Sequence, residues 1–364
     1  VDHPNYDTFW QERNILPHLR NIRPAVLVVG GWFDAEDLYG PLSIYKTLAQ
    51  NSPASRPMLV MGPFGHRGWS EEAGHTLHND LYFGDSLATS YQRTIEAPFF
   101  QHYLKGAGDG KTGLPPVCLF DTGLKTWRTF LQWPSSSRHR LRWYLTPTGQ
   151  LSTMATTPTR FREYVSDPAH PVPYSEATLT AEADFSVLSS YMSADQRFAS
   201  KRPDVLTFQT DQLPENLTVG GEVTVRLKVS TTGTDADWVV KLIDVYPLDE
   251  PNHPYLPNPQ LQLANYQQLV RADVMRGRFR HNFRKPEPFR PNQVTAVTLQ
   301  LPDVLHTFKK GHRVMIQVQS SWFPLIDRNP QTFVENIYKA AKADFKPARH
   351  RVYGGSVVDV TVSP

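Results

Sequence analysis

The stretch Gly30-Gly31-Trp32-Phe33-Asp34-Ala35-Glu36-Asp37 directly follows an apolar run, and Gly62-Pro63-Phe64-Gly65-His66 follows a second one. The two runs, Ala25 to Gly30 and Pro57 to Met61, are continuously apolar and do not alternate with polar residues. Such runs are typical of strands that are buried on both faces of a parallel sheet. An acidic loop and a histidine loop therefore follow two predicted neighbouring strands.

The segment between these runs predicts a helix over Asp37 to Gln50. Its apolar residues recur at three- and four-residue spacing, namely Leu38, Leu42, Tyr45 and Leu48. A strand–helix–strand unit of this length makes a right-handed crossover, so both strands end at the same edge of the sheet. We therefore expect Asp34 and His66 to face each other there. An acid followed by a histidine is the chain order of the last two members of an α/β-hydrolase triad.

The third member, a serine in the motif Gly-x-Ser-x-Gly, is not found in the sequence. Ser70, Ser86 and Ser356 each lie two residues after a glycine, but none has the closing glycine. Val1 also starts the sequence without a methionine or a targeting pattern. We therefore expect a fragment of a longer enzyme, with the nucleophile supplied by an upstream half and no turnover by the isolated chain.

Composition and charge narrow the class of protein. The chain has 364 residues and a net charge of +3, a length that predicts about two domains. No apolar run approaches the roughly 18 residues of a membrane span, so we expect no membrane partner. The basic cluster from Arg271 to Arg290 alternates like a strand, which favours a solvated face or a subunit contact over nucleic acid. The single Cys118 excludes an internal disulfide.

The spacing of apolar residues along the sequence changes near residue 110. Before it, apolar residues repeat every four positions from about Asp85 to Leu104, which predicts a helix that Pro98 kinks. After it, short strand-like segments alternate with Gly and Pro signals, which predicts an antiparallel sandwich, with a jelly roll as the favoured form. The predicted strands are Val117 to Phe120, Arg142 to Leu145, Val223 to Ser230, Trp238 to Tyr246, Val294 to Leu301, Arg313 to Gln319 and Val357 to Val362.

Several motifs, taken in this order, resemble one family of α/β-hydrolases. They are Pro4 to Trp10, Gly31 to Asp37, Gly62 to His66, Arg202 to Leu206, Lys310 to Arg313 and Ser320 to Pro324. The family contains the α-amino acid ester hydrolases, glutaryl-cephalosporin acylases, cocaine esterase and X-prolyl dipeptidyl peptidases. The resemblance implies an α/β plus all-β fold, a partial α/β-hydrolase sheet followed by a C-terminal jelly-roll β-sandwich. It implies the end of a helical cap at residues 1–20, the second half of the catalytic domain at 21–108 and the jelly roll at 109–364.

Carried over by position, the resemblance makes Asp34 the triad acid and His66 the triad base. His66 would take the proton of the serine hydroxyl, and Asp34 would hold the imidazole and stabilise its charged form. The alternative is structural. Asp34 would then only cap the following helix, and His66 would be a loop histidine in a glycine-rich turn.

The same resemblance assigns Glu36 and Asp37 to the α-ammonium group of a substrate, together with a third carboxylate from upstream. Clustered carboxylates bind an ammonium group through charge-assisted hydrogen bonds. The alternative is that both residues stabilise the first turn of the following helix through its dipole.

Four aromatic residues flank the predicted site: Trp32, Phe33, Tyr39 and Trp69. They are candidates for a pocket that holds an apolar acyl side chain, and simple packing is the alternative. We predict no metal and no cofactor.

The sequence leaves three functions open. The first is a serine hydrolase that cleaves esters or amides of α-amino acids through an acyl-enzyme. The second is an X-prolyl dipeptidyl peptidase, and the third is a non-catalytic jelly-roll binding module. The expected partners are the upstream half of the enzyme and a small amino acid ester, amide or peptide. Homo-oligomers and a periplasmic or secreted location are expectations of the resemblance only.

Overall fold

The computed structural model describes residues 2–71, 74–78, 81–108, 112–135, 139–176, 190–255 and 258–363. The helices in these ranges are short, and none is long and apolar enough to cross a bilayer. The α-helices are α1 (Thr8–Gln11), α2 (Tyr39–Asn51), α3 (Leu87–Tyr91), α4 (Ala97–Lys105) and α5 (Arg197–Ser200). Single 3-10 turns lie at Leu16–His18, Pro53–Ser55, Gly68–Ser70, Ser190–Ser193, Gly277–Phe279, Ile337–Lys339 and Lys342–Asp344.

The first sheet has four strands, β1 (Leu27–Gly31), β2 (Met58–Gly62), β5 (Val117–Asp121) and β6 (Thr126–Phe130), in that spatial order. The first three are parallel and the last is antiparallel to its neighbour. The register pairs Gly31 with Gly62, so β1 and β2 end together as predicted. The helix α2 connects them and buries Leu42, Tyr45 and Leu48, and the fourth predicted apolar residue, Leu38, is buried directly before the helix.

This sheet extends beyond residue 108, the predicted end of the α/β part. The strands β5 and β6 follow that limit in the chain, yet they hydrogen-bond to β2 and to each other. Both halves of the molecule also share an apolar core, in which Leu59 and Leu119 of the sheet meet Leu263 and Leu305. A boundary at residue 109 therefore falls inside one sheet.

The helix predicted over 85–104 is present but interrupted. The helices α3 and α4 are joined by a wider π-helical turn, Gln92–Glu96. Pro98 is at the second position of α4. Because proline has no N–H group and its ring collides with the carbonyl one turn earlier, the regular α-helix does not continue through this point. A separate antiparallel hairpin, β3 (His75–His78) and β4 (Leu81–Asp85), precedes these helices.

The remaining strands form two antiparallel sheets. One contains β7 (His139–Leu145), β8 (Leu151–Ser152), β9 (Phe161–Ser166), β11 (Leu217–Thr231), β14 (Thr295–Phe308), β16 (Ala348–Tyr353) and β17 (Val357–Val362). The other contains β10 (Leu206–Gln209), β12 (Asp237–Val245), β13 (Gln267–Arg276) and β15 (Arg313–Gln319).

The two sheets pack face to face over one apolar core. Val225 and Leu227 of β11 meet Trp238 and Val240 of β12 in that core. In β11 the odd-numbered residues 223–229 are buried, whereas three even-numbered neighbours are partly or fully exposed. This alternation is the one that the sequence predicts for a sandwich strand with one face in water.

Candidate active site

The acid turn, residues 32–37, leaves the end of β1 and crosses over the end of β2. The Trp32 N–H donates to Gly62 O at 2.9 Å, and the Phe33 N–H donates to Phe64 O at 3.0 Å. This close approach requires glycine at position 31, because a Cβ there would lie 2.1 Å from Phe64 O. The backbone thus ties the acid turn directly to the loop that carries His66.

Asp34 and His66 are brought together, as the strand ends predict. The His66 Nδ1 atom lies 3.2 Å from Asp34 Oδ2 and 3.3 Å from Asp34 Oδ1. Asp34 is almost fully buried, with 1% of its surface exposed, whereas the His66 side chain is 28% exposed. A buried carboxylate beside a partly open imidazole is the geometry in which an acid orients a general base.

The other face of the Asp34 carboxylate is held by the turn itself. The backbone N–H groups of Glu36 and Asp37 both donate to Asp34 Oδ1 at 2.9 Å. Asp34 therefore caps its own turn and contacts His66 at the same time. The capping alternative and the triad assignment describe two compatible contacts of one side chain.

Glu36 and Asp37 lie on the exposed side of the imidazole. The His66 Nδ1 atom is 3.5 Å from Asp37 Oδ2, and the Nε2 atom is 4.0 Å from Glu36 Oε2. Their side chains are 51% and 62% exposed, so both carboxylates are accessible to a ligand. Both residues precede the first turn of α2, which begins at Tyr39 and contains no acidic residue.

One ligand atom each from Asp34, Asp37 and His66 lies within 4.8 Å of the others, close enough to hold a metal ion. Hydrogen bonds already account for Asp34, whose oxygens contact His66 and two backbone amides. The same three atoms are also those of a hydrogen-bonded acid and imidazole with a second carboxylate, Asp37, beside the ring.

The aromatic residues divide between the site and the core. Tyr39 is 68% exposed and lines a cavity beside the acid turn. Trp32 and Phe33 are 1% and 2% exposed. Their prediction as pocket residues is therefore wrong, because both rings are enclosed by the core and the Trp32 indole N–H donates to Phe120 O. Trp69 packs on the opposite face of the sheet, against the cluster that contains Val60 and Tyr91.

The cavity has a volume of about 400 Å³ and lies between the acid turn and the β-sandwich. Asp34, Glu36 and Tyr39 form one wall, and the sandwich residues Arg271, Asp273, Tyr191 and Trp322 form much of the other. Burial raises the pKa of Asp273 to about 6 and lowers the pKa of Arg271 to about 10. Sequence reasoning did not place these residues at the site. Arg271 and Asp273 lie in the basic run that begins at Arg271, and Trp322 lies in the motif Ser320 to Pro324, but neither pattern indicates a cavity.

Comparison with known proteins identifies the family of the chain. A sequence profile of the X-Pro dipeptidyl-peptidase C-terminal non-catalytic domain matches residues 109–362, and one of X-Pro dipeptidyl-peptidase (S15 family) matches residues 1–68. Cocaine esterase from Rhodococcus sp. (strain MB1 Bresler) is 29% identical over 342 residues, which cover 91% of this chain and 54% of the esterase.

Two solved structures are more similar. An aminopeptidase from a marine sediment archaeon, Thaumarchaeota archaeon, is 39% identical with a TM-score of 0.91, over 99% of this chain and 59% of its own. An α-amino acid ester hydrolase is 36% identical with a TM-score of 0.90, over 100% of this chain and 59% of its own. The chain thus spans between half and three fifths of the length of these relatives, and it belongs to the α/β-hydrolase family that includes the X-Pro dipeptidyl peptidases, cocaine esterase and α-amino acid ester hydrolases.

Proposed function

We propose that this chain is the C-terminal part of a serine hydrolase that cleaves esters or amides of α-amino acids through an acyl-enzyme. The observation that carries the proposal is the contact of 3.2 Å between His66 Nδ1 and Asp34 Oδ2 at the ends of two adjacent parallel strands. The sequence contains no Gly-x-Ser-x-Gly motif, so the serine is assigned to an upstream segment of the complete enzyme.

In the proposed mechanism, His66 Nε2 takes the proton of the serine hydroxyl as the oxygen attacks the carbonyl carbon. Asp34 keeps the Nδ1 proton on its own side of the ring and stabilises the imidazolium that forms. His66 then gives the proton to the departing alcohol or amine. Water repeats the sequence on the acyl-enzyme and releases the free acid.

The substrate class rests on Glu36 and Asp37. Both carboxylates are exposed beside the imidazole, where a substrate ammonium group can replace water as their hydrogen-bonding partner. The two exposed carboxylates support a substrate with a free α-amino group over an N-acylated substrate. The X-prolyl dipeptidyl peptidase alternative is favoured by the profile matches, and it also requires recognition of an amino terminus.

The topology of the sandwich and the domain limits are also part of what we propose. We assign jelly-roll connections to the sandwich, which is supported by its two antiparallel sheets and their shared core. We place the end of the cap at residues 1–20, the second half of the catalytic domain at 21–108 and the jelly-roll domain at 109–364, with β5 and β6 of the last part pairing with the α/β sheet.

The test is an Asp34→Asn variant of the complete enzyme. We expect kcat to fall by about 10⁴-fold with the fold intact, because the amide favours the wrong tautomer of the histidine. Activity is compared on an amino acid methyl ester and on an X-Pro dipeptide p-nitroanilide, which separates the two enzyme alternatives. Unchanged hydrolysis by Asp34→Asn and by His66→Ala would refute the triad assignment.

A further inference from the structure

Arg271 of the β-sandwich contacts the acid turn directly. It lies on β13, its surface is 4% exposed, and its Nη1 atom donates to the backbone oxygen of Trp32 at 3.0 Å. The guanidinium carbon also lies 5.7 Å from the centre of the Trp32 ring. Trp32 precedes the triad acid by two residues. A side chain from a distant part of the chain therefore holds the turn from which Asp34 projects.

The charge of Arg271 lacks the usual compensation. Among the described residues, the hydrogen-bond partner of its guanidinium is the Trp32 oxygen, and its Nε atom has no partner. Removing a cation from water costs several kcal/mol unless it is paired. Asp303 and Asp273 act on it only at longer range. The hydrogen bond to the Trp32 carbonyl is therefore the main direct interaction that offsets the cost of burying this charge.

The Arg271 hydrogen bond holds the side of the acid turn that the backbone hydrogen bonds leave free. The N–H groups of Trp32 and Phe33 are tied to the end of β2 and to the histidine loop. The carbonyl of Trp32 points to the sandwich and is held there by Arg271. Both sides of the peptide chain that leads into Asp34 are thus fixed, one by the strand that carries the base and one by the sandwich.

We propose that Arg271 is a positioning residue that sets the orientation of Asp34 toward His66, so that the β-sandwich takes a direct part in catalysis. This inference rests on the proposed function. Without the guanidinium, the Trp32 carbonyl is released and the Asp34 carboxylate loses its alignment with the imidazole. Because a misplacement of about 1 Å costs on the order of 10²-fold in rate, we expect kcat to fall by roughly 10- to 100-fold.

The experiment compares Arg271→Met, Arg271→Lys and a matched control, Lys46→Met, in the complete enzyme. Lys46 is a second cation at the same interface, where its Nζ atom contacts Asp303 Oδ1 and Glu222 Oε1 at 2.8 Å each. It holds α2 and has no contact with the acid turn among its described bonds. Hydrolysis of p-nitrophenyl acetate is measured, because this substrate has no ammonium group to sense Glu36 and Asp37.

We expect both methionine variants to lower the melting temperature, but only Arg271→Met to lower kcat. Arg271→Lys should recover part of the rate, since an ammonium group can also donate to the Trp32 oxygen. A second readout is the low-field proton NMR signal of an imidazole N–H bound to a carboxylate. It is recorded on the complete enzyme, and we expect it to shift or broaden in Arg271→Met and to persist in Lys46→Met.

The outcomes separate this inference from the proposed function. If His66→Ala hydrolyses esters as well as the unmodified enzyme, the proposed function is wrong, and the proton signal alone tests the positioning. If His66→Ala is inactive while Arg271→Met keeps the kcat and the proton signal of Lys46→Met, the positioning role is overturned. If Arg271→Met does not fold, Arg271→Leu, which also lacks a donor for the Trp32 oxygen, takes its place, and an unchanged kcat with an unchanged proton signal overturns the inference as well.

Discussion

At the scale of single residues, Asp34 shows how one side chain serves two purposes. Its Oδ1 atom accepts two backbone N–H groups of its own turn, and its Oδ2 atom lies nearest to His66. The first contact is local and follows from the short distance along the chain. The second depends on two strands that are paired in the sheet. The local contact fixes the rotamer that the long-range contact needs.

A double variant, Glu36→Gln with Asp37→Asn, tests the ammonium site. Hydrogen bonds to charged groups contribute about 1.5–3 kcal/mol each, so with both carboxylates removed we expect kcat/KM for a free α-amino ester to fall by roughly 10²- to 10⁴-fold. Hydrolysis of the N-acetylated ester should not change, because it carries no cation. The control is Glu215→Gln, an exposed acid in a sandwich loop. Equal losses on both esters would contradict the assignment.

Gly31 is the residue where backbone contact leaves no room for a side chain. A Cβ at this position would lie 2.1 Å from Phe64 O and 2.8 Å from Phe64 C, and backbone atoms do not yield as a flexible side chain does. We expect Gly31→Ala to separate the acid turn from the histidine loop and to lower both the melting temperature and kcat. Gly40→Ala is the control, because a Cβ at position 40 would have no neighbouring atom within 4 Å. Equal melting temperatures for the two variants would show that the loops tolerate the separation.

At the scale of secondary-structure elements, a buried polar cluster joins three strands and a turn. Asp244 of β12 contacts His306 of β14 at 3.1 Å and His312, just before β15, at 2.8 Å. His306 Nδ1 lies 2.8 Å from the Thr122 hydroxyl, which follows β5. The cluster thus links the sandwich to the α/β sheet. Hydrogen bonds from the two histidines outweigh burial and lower the pKa of Asp244.

The cluster predicts a pH dependence of stability. Burial by itself lowers the pKa of His312, but its hydrogen bonds with Asp244 and Glu250 outweigh this effect and raise the pKa to about 9. A raised histidine pKa stabilises the fold fully below the unfolded value of about 6.5, and this stabilisation is lost as pH rises toward the folded value. We expect the original protein to melt at a higher temperature than His312→Gln, and we expect this difference to shrink between about pH 6.5 and pH 9.

Thermal unfolding followed by circular dichroism across this range measures the effect. His170→Gln is the control, because the His170 side chain is 82% exposed. A difference between the original protein and His312→Gln that stays constant with pH would show that His312 is neutral in the folded state.

At the scale of the whole molecule, the α/β sheet ends at β1. This strand pairs with β2 on one side only among the described residues. Unpaired strand edges are usually covered or extended. We therefore propose that the upstream half continues the sheet beyond β1 and brings the serine to His66.

The proposal predicts that the isolated chain has no turnover. A fluorophosphonate probe should label the complete enzyme but not this chain, because the nucleophile and the oxyanion donors are supplied from upstream. Intact-mass spectrometry measures the labelling. A His66→Ala variant of the complete enzyme serves as the control for labelling that depends on the triad. Stoichiometric labelling of the isolated chain would show that a serine within residues 1–364 acts as the nucleophile.

Much of the fold and part of the site could be predicted from the sequence. Uninterrupted apolar runs indicated β1 and β2, alternation indicated β11, and the three- and four-residue spacing indicated α2, because each pattern depends on neighbours in the chain. The same reasoning placed Asp34 beside His66, which needs only the handedness of one crossover. The strand limits were accurate to within two residues for β1 and β2.

Contacts between residues that lie far apart along the chain were decided only by the tertiary structure. Trp32 and Phe33 are apolar in sequence whether they line a pocket or fill a core, and only the packing of β5 and the sandwich around them made them core residues. Arg271 lies 239 residues from Trp32, so no local pattern could indicate their contact. The chain's own periodicity determined its elements and the meeting of acid and base, whereas the packing of sandwich against sheet decided which side chains surround that pair.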